Sequence, residues 1–148
     1  MPRIRRRAHV RYTAQQMFAL VNDVEAYPQF LHWCAGARVE SRGESYVEAT
    51  IEIGIAGVQK PFRTRNTLEP PRRITIALVS GPFSRLAGSW EFTDSAGGGA
   101  DIELSLDYEV SHSPLGFVLA KAFEEVTRSQ MSAFVRRADE VYGWKGSR

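Results

Sequence analysis

The sequence predicts an α+β fold: a curved antiparallel sheet of about seven strands wrapped around a long C-terminal helix, with two short helices after strand 1. Two observations carry this prediction. Through residues 34–110, apolar and polar side chains alternate, which is typical of strands that have one face in water. Residues 115–141 instead keep apolar side chains at helical spacing along one face, and such a face must be buried against another element.

Length and composition indicate one folded domain over residues 1–148, with 43% hydrophobic and 24% charged residues. The only cysteine, Cys34, excludes an internal disulfide and suits a reducing compartment. No apolar run approaches the ~20 residues that a membrane span needs, and the N-terminus lacks the apolar core of a secretory signal. We therefore expect a cytoplasmic protein. The net charge of +2 does not by itself indicate nucleic acid, and we expect no DNA partner.

The first elements are a strand and two short helices. Residues 4–12 alternate between apolar and basic positions, which predicts a strand with a basic outer face. Thr13 followed three residues later by Gln16 matches a capping box and predicts a helix start. A second helical turn is expected over residues 23–30, with Pro28 near its beginning or its exit.

The middle of the chain contains the remaining strands and the turns that separate them. Glycine and proline interrupt the alternating runs at short intervals, which is typical of hairpin turns. The separators are Gly43, Ala56-Gly57, Pro70-Pro71, Gly81-Pro82 and residues 97–99. The sheet is therefore expected to be antiparallel.

The last element is a long amphipathic helix. Ser113 and Pro114 have the residue types of an N-cap and a first helical position, and Gly143 is expected to end the helix. The apolar face is predicted to run from Leu115 to Val141. A straight helix does not fill a concave sheet completely, so the gap between them is a candidate ligand site.

Several motifs along the chain resemble one protein family. They are Val-Asn-Asp-Val-Glu-Ala-Tyr-Pro-Gln-Phe-Leu-His-Trp-Cys at residues 21–34, Phe-Arg-Thr-Arg-Asn at 62–66, Gly-Pro-Phe at 81–83 and Tyr-Gly at 142–143. The chain resembles the coenzyme Q-binding and ribosome-association-toxin family of the START-like (polyketide cyclase) superfamily, with His32 where that family usually has proline. The resemblance implies a helix-grip fold with a hydrophobic tunnel.

The resemblance implies two roles. In the first, which we take as the main prediction, the chain binds ubiquinone (coenzyme Q) or a similar apolar lipid and supports respiratory electron transport as a non-enzymatic chaperone. Its partner would be a polyprenyl quinone, held as a ligand and not as a catalytic cofactor. The alternative is a toxin or regulator that binds the large ribosomal subunit and blocks subunit joining. A third hypothesis is a cyclase or hydrolase that acts on a small molecule, as some START-like relatives do.

Catalytic and metal sites are not expected. Cys34 and His32 lie two residues apart without an orienting partner for a nucleophile–base pair, and the histidines are too scattered for zinc-ligand spacing. The glycines at 97–99 lack the lysine and the helix start of a phosphate-binding loop. We therefore expect a protein without enzymatic activity, cofactor or metal.

The predicted ligand site consists of side chains that point into the gap between sheet and helix. Polar residues in inward phase, Lys60 among them, could donate hydrogen bonds to quinone oxygens. The predicted ligand-binding residues are Phe62, Thr64, Asn66, Leu78, Phe83, Leu86, Trp90, Tyr108, Phe123, Gln130 and Phe134.

Two surfaces are predicted to meet partners. Large apolar residues in the second short helix suggest an exposed pocket mouth that contacts the inner face of the cytoplasmic membrane peripherally. These residues are Tyr27, Pro28, Phe30, Leu31 and Trp33. The basic partner surface consists of Arg3, Arg5, Arg7 and Arg11. It could meet anionic lipid or ribosomal RNA, or protect a solvated edge strand.

Overall fold

The computed structural model describes residues 3–55, 57–110 and 112–143. It confirms the predicted fold class, a curved seven-stranded antiparallel sheet with a long C-terminal helix. The elements are β1 (Arg3–Val10), α1 (Ala14–Asn22), a 3₁₀ helix (Val24–Gln29), β2 (Cys34–Arg42), β3 (Tyr46–Ile55), β4 (Val58–Glu69), β5 (Arg73–Ser80), β6 (Phe83–Asp94), β7 (Ala100–Val110) and α2 (Pro114–Tyr142).

The sheet has the order β1-β7-β6-β5-β4-β3-β2. Strands β2 to β7 follow one another as hairpins, whereas β1 pairs with β7 and forms the opposite edge from β2. The two short helices carry the chain from one edge to the other. Register shifts interrupt the β2–β3, β4–β5 and β6–β7 pairs, and such bulges bend strands and increase their twist. They therefore contribute to the concave face that receives α2.

Helix α1 begins as the capping box predicts. The Gln16 backbone N–H donates to Thr13 Oγ1 at 3.1 Å, and the Thr13 N–H donates to Gln16 Oε1 at 2.9 Å. The Ala14 N–H donates to the Asp94 carboxylate at 2.8 Å, which ties the helix start to the end of β6. Because these donors have no partner within the helix, the side chains satisfy groups that burial would otherwise penalise.

Helix α2 covers the concave face of the sheet. Its start is as predicted: Ser113 Oγ accepts from the Gly116 N–H at 2.9 Å, and Pro114 is the first helical residue. The predicted apolar face is too long at both ends, since Leu115 is 40% exposed and Val141 is 44% exposed. Both lie in terminal turns, so the buried face occupies the middle of the helix. The buried residues include Leu119, Ala122, Phe123, Val126, Met131, Phe134 and Ala138.

The core joins the sheet, α2 and the 3₁₀ helix through aromatic contacts. Phe134 is fully buried, and its ring centroid lies 5.1 Å from Trp90, 5.5 Å from Tyr27 and 5.2 Å from Phe30. Edge-to-face geometry of this kind adds to the stabilisation from burial alone. Within the described ranges, no helix is long and apolar enough to cross a membrane.

Candidate functional site

A cavity of about 80 Å³ lies between the concave face of the sheet and the middle of α2. Strands β3 to β7 form its walls, with the 3₁₀ helix and Trp33 on one side and α2 as the cover. Most of the lining is apolar, with a few polar groups that converge on the space, which is the usual composition of a small-molecule site.

Seven of the predicted ligand-binding residues line this cavity. They are Phe62, Thr64, Asn66, Leu86, Trp90, Phe123 and Gln130. Ala49, Ile51 and Thr127 also line it and were not predicted. The inward phase of β3 could have indicated the first two, while Thr127 is a polar residue on the buried face of α2.

The other four predicted ligand-binding residues do not line the cavity. Phe83 and Tyr108 lie beside Phe123, with ring centroids 4.9 Å and 4.7 Å away, and so support the cavity wall from outside. Phe134 packs in the core behind Trp90. Leu78 is half-buried near the end of β5. Lys60, expected to point inward, is half-buried on β4 and lies outside the lining. The alternation of residues along a strand predicts which side chains point inward, but not which of these side chains line the cavity.

The cavity is smaller than the expected tunnel. An engineered cavity of about 150 Å³ holds one benzene molecule, whereas this one measures about 80 Å³. A substituted quinone ring therefore fits only if side chains or α2 move. A polyprenyl tail needs a still larger displacement.

The polar groups around the cavity differ in how well they are satisfied. The Trp33 indole N–H donates to Gln130 Oε1 at 3.1 Å, and the Thr127 hydroxyl donates to the Glu124 backbone oxygen at 3.0 Å. Asn66 Oδ1 is buried and has no hydrogen-bond donor among the described residues. Buried polar atoms nearly always have a partner, so Asn66 is the position where a ligand's hydroxyl or amide group would gain a hydrogen bond.

The predicted pocket mouth is not an exposed apolar patch. Tyr27, Leu31 and Trp33 are buried, Phe30 is half-buried, and only Pro28 is exposed. Tyr27 turns inward because its hydroxyl donates to the Val21 backbone oxygen at 2.6 Å, and the Gln130 hydrogen bond holds Trp33. The exposed large apolar residues of the described chain lie elsewhere, at Val79, Leu115, Phe117, Val118 and Val141.

The predicted basic surface is largely neutralised by acids. Arg3 lies 3.5 Å from Asp107, and Arg5 and Arg7 lie 3.0 Å and 3.4 Å from Glu103. The β1–β7 register brings these side chains together on the outer face. Arg11 approaches Asp139 at 3.7 Å. The arginines remain mostly exposed, but their alternation with carboxylates weakens the field that would attract an anionic partner.

The two groups considered for nucleophilic catalysis, Cys34 and His32, lie in different environments. Burial raises the pKa of the Cys34 thiol to about 11, so it stays protonated and unreactive near neutral pH. His32 is exposed on the surface. Across residues 3–55, 57–110 and 112–143, no three His, Cys, Asp or Glu side chains are grouped as metal ligands.

The sequence of this chain is similar to those of several known proteins. Residues 10–135 match the family model described as polyketide cyclase / dehydrase and lipid transport. The ribosome association toxin RatA of Vibrio cholerae is 41% identical over 143 residues, 97% of this chain and 99% of that protein. The mitochondrial coenzyme Q-binding protein COQ10 homolog B of Xenopus laevis is 28% identical over 140 residues, 89% of this chain and 56% of that protein.

The fold has solved neighbours as well. The Zhui aromatase/cyclase of Streptomyces sp. R1128 superposes with a TM-score of 0.81 over 93% of both chains, at 15% identity. Identity at this level speaks for the shared fold and not for a shared reaction.

Proposed function

The chain belongs to the polyketide cyclase / dehydrase and lipid transport family, and we propose that it acts by associating with the ribosome. One observation carries the proposal: 41% identity along nearly the whole length of a protein named as a ribosome association toxin. The coenzyme Q-binding relative is more distant, at 28%. The sequence-based preference for ubiquinone therefore gives way to its alternative.

The proposed activity is binding to the large ribosomal subunit in the cytoplasm, which would keep the two subunits apart. Binding of this kind requires a surface and no chemistry, in keeping with the protonated Cys34 thiol. An electrostatic contact with ribosomal RNA releases counterions and weakens as salt rises.

Sedimentation of purified ribosomal subunits with added protein tests this proposal. At about 50 mM salt the protein is expected to move with the large subunit, and at about 200 mM most of it is expected to stay at the top of the gradient. Addition before subunit mixing should reduce the peak of joined ribosomes. Protein that remains at the top at both salt concentrations would overturn the proposal.

A second candidate function, binding of a quinone or another apolar lipid, is favoured by the unsatisfied Asn66 oxygen in the cavity wall. Burial of prenyl carbons would supply affinity at ~0.8 kcal/mol per CH₂, after α2 has moved to enlarge the space. An organic extract of protein purified from its host, analysed by mass spectrometry, tests this candidate. The Asn66→Leu variant is the matched control, because it removes the polar group and keeps the number and branching of the side-chain heavy atoms. Extracts of both proteins without quinone or lipid would dismiss the candidate.

A further inference from the structure

A second concave surface, the β1–α2 groove, lies between the edge strand β1 and the first half of α2. Its volume is about 540 Å³, within the ~300–1,000 Å³ of typical small-molecule sites. Its lining includes Arg6 of β1, Tyr108 of β7, and Phe117, Lys121, Glu124 and Arg128 of α2. Tyr108 belongs to the predicted ligand site, and Arg3 of the predicted basic surface lies at the groove as well, paired with Asp107.

The groove contains cations that lack acidic partners. Arg6 points to the inner side of β1, opposite to Arg5 and Arg7. Among the residues that the structure describes, its guanidinium donates only to the Arg5 backbone oxygen, at 3.3 Å. Cations without an ion pair, over the stretches of chain that the structure describes, are Arg6, Arg42, Lys60, Lys121 and Arg136. Two of these five, Arg6 and Lys121, line the same groove. The groove therefore has cations without an ion pair, whereas the arginines on the outer face of β1 are paired with Glu103 and Asp107.

An exposed aromatic ring, that of Phe117, lines the groove. Phe117 is 72% exposed, the highest value among the large apolar residues described. It lies one turn before Lys121 on the same side of α2. An unburied phenylalanine next to free cations is the arrangement by which proteins hold single-stranded nucleic acid, with a base on the ring and phosphates on the cations.

We propose that the β1–α2 groove binds a single-stranded segment of RNA. Arg6 and Lys121 contact phosphates, one base stacks on Phe117, and the carboxylate of Glu124 accepts a hydrogen bond from a base amino group. The inference rests on the proposed ribosome association and deepens it by assigning the contact surface. Carboxylates within the groove, Glu109 and Glu124, suit base amines better than the anionic head groups of a membrane.

Three side chains allow a direct test, because Phe117 and Lys121 are exposed, Arg6 is half-buried, and none of them belongs to the buried core. The variants are Phe117→Ala and the double variant Arg6→Gln/Lys121→Gln. The matched control is Arg5→Gln, on the outer face of the same strand. Binding to a fluorescein-labelled 12-nucleotide oligocytidine, whose bases carry the N4 amino group, is measured by anisotropy across a salt series, and binding to the large subunit is measured by sedimentation.

Phe117→Ala is expected to weaken oligonucleotide binding about ten-fold, the loss typical of one stacked base. The double variant should flatten the plot of log affinity against log salt by about 1.4, since each phosphate contact on a single strand contributes about 0.7. Arg5→Gln should change affinity less than about two-fold, because its charge is already paired with Glu103.

The outcomes separate this inference from the proposed function. Wild-type protein that moves with the large subunit while both groove variants do so equally well overturns the groove and leaves ribosome association in place. Wild-type protein that binds the oligonucleotide through the groove but never moves with the subunit supports the groove and removes ribosome association. Variants that lose binding to vesicles containing phosphatidylglycerol but keep RNA binding would identify a membrane contact and refute the inference.

Discussion

Replacing Asn66 with leucine should stabilise the folded protein. Asn66 Oδ1 is buried at the cavity wall without a donor among the residues described, and an unsatisfied buried polar atom costs about 1–3 kcal/mol. Leucine has the same number of side-chain heavy atoms in a similar branched shape, removes that cost and extends its larger methyl groups toward a cavity of about 80 Å³. Allowing for imperfect packing, we expect the free energy of unfolding to rise by about 1–2 kcal/mol.

Urea unfolding of ligand-free, refolded protein measures this change. With a denaturant slope near 2 kcal/mol per molar, the midpoint should rise by about 0.5–1 M. In a thermal scan the same change corresponds to about 2–8 °C for a chain of this size. Refolding removes any bound ligand, whose own stabilisation would otherwise be counted with the wild type.

The matched control is Asn66→Ala, which removes the same oxygen but enlarges the cavity. Added cavity volume costs about 24 cal/mol per Å³, so this variant should stay close to the wild type. A lower urea midpoint for Asn66→Leu at an unchanged slope would refute the reasoning, because it would mean that the Asn66 amide is fully satisfied in the folded protein. A confirmed gain would indicate that the protein retains a costly polar group for binding.

Three further predictions concern stability and reactivity. Phe134→Ala, which empties a fully buried aromatic position, should cost about 3–5 kcal/mol in urea unfolding; a loss below about 1 kcal/mol would contradict the packing described. Cys34, with its thiol pKa raised to about 11 by burial, should react with iodoacetamide at pH 8 only after unfolding, and rapid labelling of the folded protein would disprove this. A hydrogen bond from His9 and another from Ser95 hold the pKa of Asp101 below its ordinary 3.8. The stability from Asp101 is present above that value and lost as pH falls through the lower folded-state pKa. Asp101→Asn should therefore flatten the fall of the thermal midpoint below about pH 4, and an unchanged slope would count against the contact.

Local patterns predicted the elements well because their causes lie within a few residues. Thr13 and Gln16 are three positions apart and cap α1 as the sequence indicated, and Ser113 caps α2 in the same way. Alternation with period two identified the strands for the same reason. The predicted strand over residues 4–12 ends two residues early, at Val10. Tertiary contacts explain the difference, because Tyr12, next in phase, is buried and donates to Asp139 of α2.

The surfaces were harder to predict because they depend on pairs that are distant in sequence. No feature of the sequence near Arg5 indicates that Glu103 is its partner. The two residues pair because the β1–β7 register brings them together. Tyr27 and Trp33 were predicted to form an exposed apolar patch. Both are buried instead, Tyr27 with a hydrogen bond to Val21 and Trp33 with one to Gln130. The volume of a cavity is the small difference between the space that the backbone encloses and the space that the packed side chains fill. The alternation of residues along a strand does not predict that difference.

The position of β1 has a consequence for synthesis. Among the described strands β1 pairs with β7 alone, and the groove also needs α2, so Arg6 and Lys121 come together only after all seven strands have been made. At about 5–20 residues per second, the N-terminal strand waits on the order of ten seconds for its neighbour. A nascent copy therefore lacks the assembled β1–α2 groove while it is being translated, and only a chain whose α2 has left the ribosome can present Arg6 and Lys121 side by side.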